Sequence, residues 1–412
     1  MPTQYPILII GAGLSGLTTA RLLTNSRIPC ITFESSPSTR TQGYAISLRD
    51  WGFNALLKSL GNLPLSSLTR GVAPDRALGG WGWLDQSWRN NQTGEVIMMP
   101  PREGKEKPSI LRANRNALRS WVADAGDEEV DVRYGHRLVG VDFEGGVVIA
   151  RFDNGASYKG SLLIGADGVH STVRSILLPA VTPEILPVLV YHGDFRLSRD
   201  EYERIIRPHS GESTIVAGVG DGFNTPLTVC NITSDTVHMD WTYSRPGVKD
   251  DVLFNSSITS EEAKVIPEAL VEEINSRQLG EPWSLFINGD AMREHKVFNW
   301  LVRCVSVERG DLDSCIGKNV VFVGDSWHAM PIFGGEGGNH ALVDGVELAR
   351  KLVEVIRRGE DVQEAVKAYY DGAWRRCVDA VRRSKQRFYQ LHRPISEWVE
   401  IAEKQKLAQK GA

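Results

Sequence analysis

The sequence has few cysteines and shows no pairing pattern among them. Within 412 residues there is no CxxC pair and no Cys/His ligand spacing, and the five cysteines are dispersed at Cys30, Cys230, Cys304, Cys315 and Cys377. Such a set is typical of free thiols in a reducing compartment and argues against a disulfide framework or a zinc site. We therefore expect a cytoplasmic protein without a bound metal.

Long apolar runs and an excess of one charge are also missing. No stretch reaches the roughly 18 apolar residues of a membrane-spanning helix, and the N-terminus lacks the basic region of a signal peptide. Lysine and arginine number 47 against 51 aspartate and glutamate, so the net charge is −4 and favours neither a nucleic-acid nor an anionic-membrane partner. These absences predict a soluble protein, and we expect a monomer or a homodimer.

The order of apolar and alternating segments indicates the domain organisation. A chain of 412 residues exceeds one compact core, so two or three packed units are expected. Short apolar runs and helical patterns in residues 1–180 and 291–358 predict a doubly wound, Rossmann-like α/β domain that is discontinuous in sequence. Alternating strands in residues 181–290 predict an antiparallel-sheet domain. Residues 359–412 are predicted to form C-terminal helices.

A glycine-rich turn follows the first apolar run. The pattern Gly11-x-Gly13-x-x-Gly16 lies between a predicted strand and a predicted helix, and Glu34 ends the next strand. Gly11 allows the tight turn, Gly13 lets the backbone approach a pyrophosphate at the helix N-terminus, and Gly16 allows close helix–strand packing. A carboxylate at Glu34 accepts hydrogen bonds from an adenosine ribose. The complete set predicts a dinucleotide site but does not separate FAD from NAD.

A second glycine-rich loop follows a late apolar strand. The strand Asn319–Gly324 delivers Asp325 at its carboxyl end, and the loop that follows opens a helix at Gly337, Gly338 and Asn339. Backbone N–H groups at a helix N-terminus stabilise the negative charge of a reduced flavin, and Asp325 would hold a ribityl hydroxyl. A simple NAD dehydrogenase has no use for this second loop, so the pair of motifs favours FAD.

Together the motifs resemble those of the class A FAD-dependent monooxygenases, the superfamily of p-hydroxybenzoate hydroxylase, salicylate hydroxylase and the tetracycline-oxidising enzymes. That family also carries an Asp-Gly motif, seen here at Asp167, and an Arg-x-x-Leu helix, seen here at Arg115. The resemblance implies that Arg115 binds the flavin's ribityl or diphosphate region, and that Gly43 to Ala45 line the isoalloxazine ring. It places Asp167 between FAD and the path of a transient NAD(P)H, and Pro331 against the ring.

The resemblance also implies a reaction. NAD(P)H would reduce FAD, O2 would add to give a C4a-hydroperoxyflavin, and one oxygen atom would pass to a small aromatic or natural-product-like substrate by hydroxylation or epoxidation. The nicotinamide and the substrate are not specified by the sequence. Two alternatives stay open: a flavin-dependent dehydrogenase or reductase that does not use O2, and a non-catalytic FAD-binding protein.

Several further residues have both a functional and a structural interpretation. His328 precedes Pro331 closely, so it could transfer a proton or fix the loop by hydrogen bonding. Tyr191 is a candidate catalytic residue; it or its neighbour His192 could face the substrate, or each could be a paired sheet residue. Met239 and Trp241 share one face of a predicted strand, which could line a pocket or form the sheet core. Phe333 is expected at the edge of the flavin ring.

Overall fold

The computed structural model describes residues 5–39, 44–85, 87–99 and 109–410. The strands are β1 Ile7–Ile10, β2 Cys30–Glu34, β3 Ala45–Arg49, β4 Trp88–Asn90, β5 Val96–Met98, β6 Ile110–Asn114, β7 Val132–Tyr134, β8 Leu138–Glu144, β9 Val147–Phe152, β10 Ser157–Gly160, β11 Leu162–Gly165, β12 Glu184–Ile185, β13 Val188–Ser198, β14 Ile215–Val219, β15 Leu227–Ile232, β16 Thr236–Pro246, β17 Lys296–Asn299, β18 Arg303–Cys304 and β19 Val320–Phe322. The α-helices are α1 Leu14–Asn25, α2 Asp50–Ser59, α3 Leu65–Val72, α4 Arg115–Asp124, α5 Thr172–Leu177, α6 Arg199–Glu201, α7 Arg207–Ser210, α8 Glu268–Ser276, α9 Gly289–Glu294, α10 Arg309–Ile316, α11 Asp325–His328, α12 Gly337–Arg358, α13 Val362–Leu391 and α14 Ile395–Lys410.

A five-stranded parallel sheet forms the first unit, with the order β19-β11-β1-β2-β7. Its central strands are wholly buried, as their uninterrupted apolar sequences predict. Ile10 pairs with Gly165, and Gly165 pairs with Phe322, so β1, β11 and β19 end at the same edge. The residues that follow these three strands, which carry the sequence motifs, therefore meet at the carboxyl edge of the sheet.

A seven-stranded sheet, here called the large sheet, has the order β17-β13-β16-β15-β14-β4-β5. Its longest pairing is between the antiparallel strands β13 and β16, which pair along their full lengths, Val188–Ser198 against Thr236–Pro246. β14 pairs with β4 in parallel. The strands β4 and β5 come from the stretch 88–98, so part of the predicted first domain pairs with this sheet. The predicted boundaries at 180, 290 and 358 stay a prediction.

Most predicted elements form, with differences at their ends. The sequence pattern predicts one strand over 156–164, but the chain divides at Ser161: β10 pairs antiparallel with β9, and β11 joins the parallel sheet. The pattern also predicts a helix near 260–276, and the observed helix is shorter, Glu268–Ser276. The helices α13 and α14 lie within residues 359–412, where C-terminal helices are expected. No helix in the described parts of the chain combines the length and apolarity needed to cross a bilayer.

Candidate active site

The first glycine loop is shaped by close backbone contacts. Gly11 has φ +108°, and a Cβ there would lie 2.3 Å from the carbonyl oxygen of Ala166. A Cβ on Gly16 would lie 2.0 Å from the carbonyl oxygen of Gly11. Gly13 differs, because a Cβ added to it would lie 3.9 Å from its nearest neighbour, the carbonyl oxygen of Ala166. Packing therefore explains Gly11 and Gly16, whereas the open approach to Gly13 fits a ligand that comes close to the backbone.

Glu34 is ionised and braces this loop. Its carboxylate accepts hydrogen bonds from the N–H groups of Ala12 at 3.1 Å and Ser36 at 2.9 Å. Burial alone would raise the pKa of Glu34, but these N–H donors and the nearby Arg119 bring it below its usual range. Arg119 also donates to the carbonyl of Ala12 at 2.9 Å. The contact with a ribose remains a prediction for Glu34.

Four groups from separate elements converge beyond the ends of β1 and β19. Arg115, the first residue of α4, lies over the ring of Tyr44 at 5.5 Å from its centroid. Asp325 is solvent-accessible but lies in a recess whose desolvation raises the pKa of its carboxyl, while the guanidinium of Arg115 lowers it. A Cβ on Gly337 would lie 4.0 Å from Oδ1 of Asp325. The predicted residues Arg115, Asp325 and Gly337 are thus brought together.

The start of α12 offers backbone donors to this recess. Within the described chain, the N–H groups of Gly337 and Gly338 donate no hydrogen bond. The N–H of Asn339 instead donates to the carbonyl of Glu336 at 3.0 Å. The 22-residue helix adds its positive N-terminal dipole at this point. Gly337 and Gly338 fit the predicted role as donors, which is untested, while the N–H of Asn339 has an acceptor of its own.

The side chain of Asn339 ties the loop to β3. Its Nδ2 donates to the carbonyls of Ser47 at 2.9 Å and Gly335 at 3.1 Å, and its Oδ1 accepts from the N–H of Arg49 at 2.7 Å. Ala45 begins the same strand, and its carbonyl accepts from Arg112 at 2.9 Å. Gly43, predicted beside the flavin, lies outside the described residues.

Asp167 follows β11 and holds the next helix. One carboxylate oxygen accepts from the N–H groups of Thr172 at 2.7 Å and Val173 at 3.1 Å at the start of α5. The other oxygen, Oδ1, is buried and has no hydrogen-bond partner among the described residues. Burial raises the pKa of Asp167. Its predicted place between FAD and NAD(P)H is not tested by these contacts.

The large sheet has two faces with different surroundings. One face, here called the core face, carries Tyr191, Met239 and Trp241, which are 2% exposed or less within a packed apolar cluster that includes α8. The structure therefore favours the sheet-core interpretation of Met239 and Trp241 over the pocket. Tyr191 is predicted to be catalytic, but the structure places it in this cluster, where Asn299 contacts its hydroxyl.

The opposite face, here called the cleft face, carries His192 and looks toward the flavin loop. Val190, on the same side of β13, packs in a cluster with Met330 of that loop. Trp300, just after β17, packs against this cluster and lies 6.2 Å from Tyr44 and 6.3 Å from His192, ring centroid to centroid. The aromatic rings therefore form a continuous wall, which runs from Tyr44 beside the recess through Trp300 to His192 of β13 and Phe298 of the edge strand β17.

Comparison with known proteins decides the family. A profile described as an FAD binding domain matches residues 313–384. FAD-dependent monooxygenase aptC of Emericella nidulans is 78% identical over 413 residues, covering 98% of this chain and 99% of the relative. FAD-dependent monooxygenase adaC of Aspergillus niger is 61% identical over 412 residues, covering 98% of each. The chain belongs to the FAD-dependent monooxygenases.

Solved structures place the fold of this monooxygenase in the same class. HpxO of Klebsiella pneumoniae, complexed with FAD and uric acid, has a TM-score of 0.70 at 20% identity, over 97% of this chain and 92% of that chain. A 2,6-dihydroxypyridine-3-hydroxylase of Arthrobacter nicotinovorans has a TM-score of 0.70 at 17% identity, over 95% of this chain and 94% of that chain. The predicted α/β fold with an antiparallel sheet and C-terminal helices is confirmed.

FAD fits the residues that this monooxygenase gathers at the sheet edge. The unobstructed backbone at Gly13 suits a diphosphate at the N-terminus of α1, and Arg115 supplies a positive charge nearby. The open N–H groups of Gly337 and Gly338 suit the electron-rich end of a flavin. A nicotinamide dinucleotide alone would leave this second set of donors without a role.

His328 belongs to a buried network behind the flavin loop of the monooxygenase. Its Nε2 pairs with Oδ2 of Asp344, and both side chains are fully buried. The same oxygen accepts from the N–H of Gly324 at 2.9 Å, and Arg376 of α13 donates to the other oxygen at 2.9 Å. Although burial favours the neutral carboxyl, His328 and Arg376 hold the pKa of Asp344 well below its usual range. The geometry favours the loop-fixing interpretation of His328 over proton transfer.

This region also contains Cys377, Pro331 and Phe333. Cys377, His328 and Asp344 place ligand atoms within 4.8 Å of one another, but the guanidinium of Arg376 already pairs with that carboxylate. Pro331 is buried, and its carbonyl accepts from Ser384 at 2.6 Å, which fixes the loop to α13. The ring of Phe333 packs on that of Phe388 of the same helix at a centroid distance of 5.0 Å, and its position at the edge of the flavin ring stays a prediction.

Sequence reasoning missed Trp300, Phe298 and Asp344 of this monooxygenase. Asp344 interrupts an apolar stretch of α12. Because a buried carboxylate must be paired or hydrogen-bonded, this position predicts a cationic or hydrogen-bonding partner. Phe298 and Trp300 alternate just before the chain returns to the parallel sheet, but only tertiary packing shows that they lie beside Tyr44.

Proposed function

We propose that this monooxygenase uses NAD(P)H and O2 to oxygenate a small, planar aromatic substrate, with hydroxylation as the first expectation and epoxidation as the second. The observation that carries this proposal is the meeting of two surfaces at Tyr44. On one side lies the recess of Arg115, Asp325 and Gly337, and on the other the aromatic wall that continues through Trp300. A substrate on the wall would lie beside the cofactor.

The protein's task is to bind, orient and shield. Bound FAD supplies the redox chemistry, because it accepts electrons from a nicotinamide and reacts with O2. Arg115 and the N–H groups of Gly337 and Gly338 would hold it through charge and backbone donors. Asp325 would accept a hydrogen bond from the ribityl chain. Asp167, with one oxygen unpaired among the described residues, stays our candidate for the nicotinamide side of the site.

The aromatic wall would orient a planar ring and exclude water from the reacting atoms. The ring centroids of Phe298 and Trp300 lie 6.2 Å apart, and those of Phe298 and His192 lie 5.0 Å apart. These rings offer flat surfaces for stacking. Burial raises the pKa of Tyr44, so its hydroxyl is neutral at neutral pH and adds no charge to the wall. Exclusion of water strengthens the polar contacts that remain.

The names of relatives support an aromatic substrate. The HpxO structure contains uric acid, and the Arthrobacter enzyme is named for a dihydroxypyridine, both of which are planar heteroaromatic molecules. Both share the fold of this chain at TM-scores of 0.70. Since their identities are 20% and 17%, the exact substrate does not transfer.

The proposal is tested by spectroscopy and oxygen uptake. Purified protein should be yellow, with flavin absorption bands at about 375 and 450 nm. NADH or NADPH should bleach these bands faster when an aromatic ligand is present. Oxygen consumption should rise with that ligand and yield an oxygenated product. A flavin-dependent dehydrogenase would keep the bands yet show no ligand-stimulated oxygen uptake, and a non-catalytic FAD-binding protein would not be bleached.

A further inference from the structure

His192 lies at the end of the aromatic wall that is farther from Tyr44, and it takes no part in the FAD recess. It pairs across the large sheet with Thr242 of β16 and Phe298 of β17. We propose that His192 hydrogen-bonds the hydroxyl or enol oxygen of the aromatic substrate and thereby selects hydroxylated rings. This inference rests on the proposed function, because it concerns the substrate of the same site.

The position of His192 on the cleft face is fixed by strand alternation. Its neighbour Tyr191 points into the packed cluster of the core face, so the next residue must point to the opposite side. Its ring lies 5.0 Å from Phe298 and meets Trp300 edge-on at 6.3 Å. Since Trp300 also contacts Tyr44, a planar molecule stacked on this wall would bring its edge to His192.

One nitrogen of the His192 ring is held and the other is open. Nδ1 lies 3.3 Å from the hydroxyl oxygen of Thr242, which fixes the orientation of the ring. Nε2 has no partner among the described residues. It is not one of the buried unpaired atoms, so a ligand can reach it. A substrate hydroxyl both donates and accepts, so it can pair with Nε2 in either tautomer of the ring.

Three other polar side chains of the cleft face, those of Asp194, Asp240 and Ser244, already have partners. Asp194 pairs with His238, Asp240 accepts from the thiol of Cys230 at 2.9 Å, and the hydroxyl of Ser244 pairs with His392 at 2.8 Å. A ligand would have to displace a protein group to reach any of them. His192 is available without such a cost, and it is flanked by the rings that would hold an aromatic substrate.

The role is measured by the preference for a hydroxyl group. The oxidised holoenzyme is titrated with 2-naphthol and with 2-methoxynaphthalene, and binding is followed by the change in flavin absorption. A site built to pair a hydroxyl binds the first probe about tenfold more tightly, as one hydrogen bond allows. His192→Phe should abolish this preference, and His192→Gln, which keeps a polar terminus, should retain part of it.

A matched histidine on the core face serves as the control. His295 stacks on Phe195 at 4.7 Å and accepts from Trp241 at 3.0 Å, so His295→Gln should leave the preference unchanged. If His192→Phe does not retain FAD, Thr242→Val tests the assignment instead. That variant removes the partner of Nδ1 of His192 and should lower the preference for 2-naphthol. An unchanged preference in these variants overturns the assignment of His192 alone. A wild-type enzyme that binds neither probe overturns the proposed aromatic substrate and the assignment together.

Discussion

Replacing Asp344 by asparagine tests whether the buried network holds the flavin loop. Asp344 is fully buried and accepts from Gly324, His328 and Arg376. The substitution removes the anionic partner of the buried His328 imidazole and leaves the guanidinium of Arg376 with the partly exposed Glu347. Breaking a buried pair in this way costs about 3–5 kcal/mol of unfolding free energy. Because Gly324 precedes Asp325, the loss should also weaken FAD binding.

Glu347→Gln is the matched control. Glu347 contacts the same guanidinium at 2.8 Å, but its side chain is 33% exposed whereas Asp344 is 0% exposed. Solvent screening should limit its cost to about 1 kcal/mol or less. Urea unfolding followed by tryptophan fluorescence, together with the FAD content after gel filtration, compares the two variants. Equal stability and equal FAD content would show that the carboxylate of Asp344 does not support the loop.

The same pair makes a prediction about pH. The folded-state pKa of Asp344 lies well below its usual range, although burial opposes this, because His328 and Arg376 stabilise the charged form. A depressed pKa contributes stability that is fully present above the unfolded value, about 3.9, and is lost as the pH falls through the folded value. Wild type should therefore lose more stability than Asp344→Asn as the pH falls below about 4.

Two further predictions separate the cofactor side from the substrate side. Gly16→Ala should impair folding, because its Cβ would lie 2.0 Å from the carbonyl oxygen of Gly11, whereas Gly13→Ala should fold normally and lose at least about tenfold in FAD affinity. Thermal melting and FAD titration distinguish them, and equal behaviour would contradict the reasoning. Trp300→Ala should retain FAD but weaken aromatic ligands by about 1–3 kcal/mol through lost stacking area, measured by the same flavin titration; unaltered ligand binding would remove Trp300 from the site.

The parallel sheet and its two glycine loops could be predicted from the sequence because their signals are local. An apolar strand, a glycine turn and a helix follow one another at β1, and Asp325 stands directly after the buried strand that contains β19. The carboxyl ends of parallel strands meet at one edge, so proximity follows from the pattern alone. The pattern also places Asn339 beside Gly337 and Gly338 at the start of α12, but its side-chain contacts with Ser47 and Arg49 depend on a strand far away in sequence.

The substrate side could not be predicted because alternation does not say which face meets the cofactor. Tyr191 and His192 must point to opposite sides, yet both faces of β13 carry apolar residues, so the sequence offers no choice between them. The strands β4 and β5 are three residues long, and β4 pairs with β14, a partner far away in sequence. The cleft face is identified by the cluster that contains Val190 and Met330 and by the contact between Trp300 and Tyr44.

The cofactor recess and the aromatic wall are supported from different directions, and this has a measurable consequence. Asp344 and Arg376 hold the flavin loop from behind, through α12 and α13, whereas His192 and Trp300 are carried by the large sheet in front. Variants behind the loop should therefore change FAD retention with little effect on the choice of ligand, and variants on the sheet should do the reverse. If Asp344→Asn altered the preference between 2-naphthol and 2-methoxynaphthalene while keeping FAD, the loop and the sheet would have to move as one body, and Met330 against Val190 would be the contact that couples them.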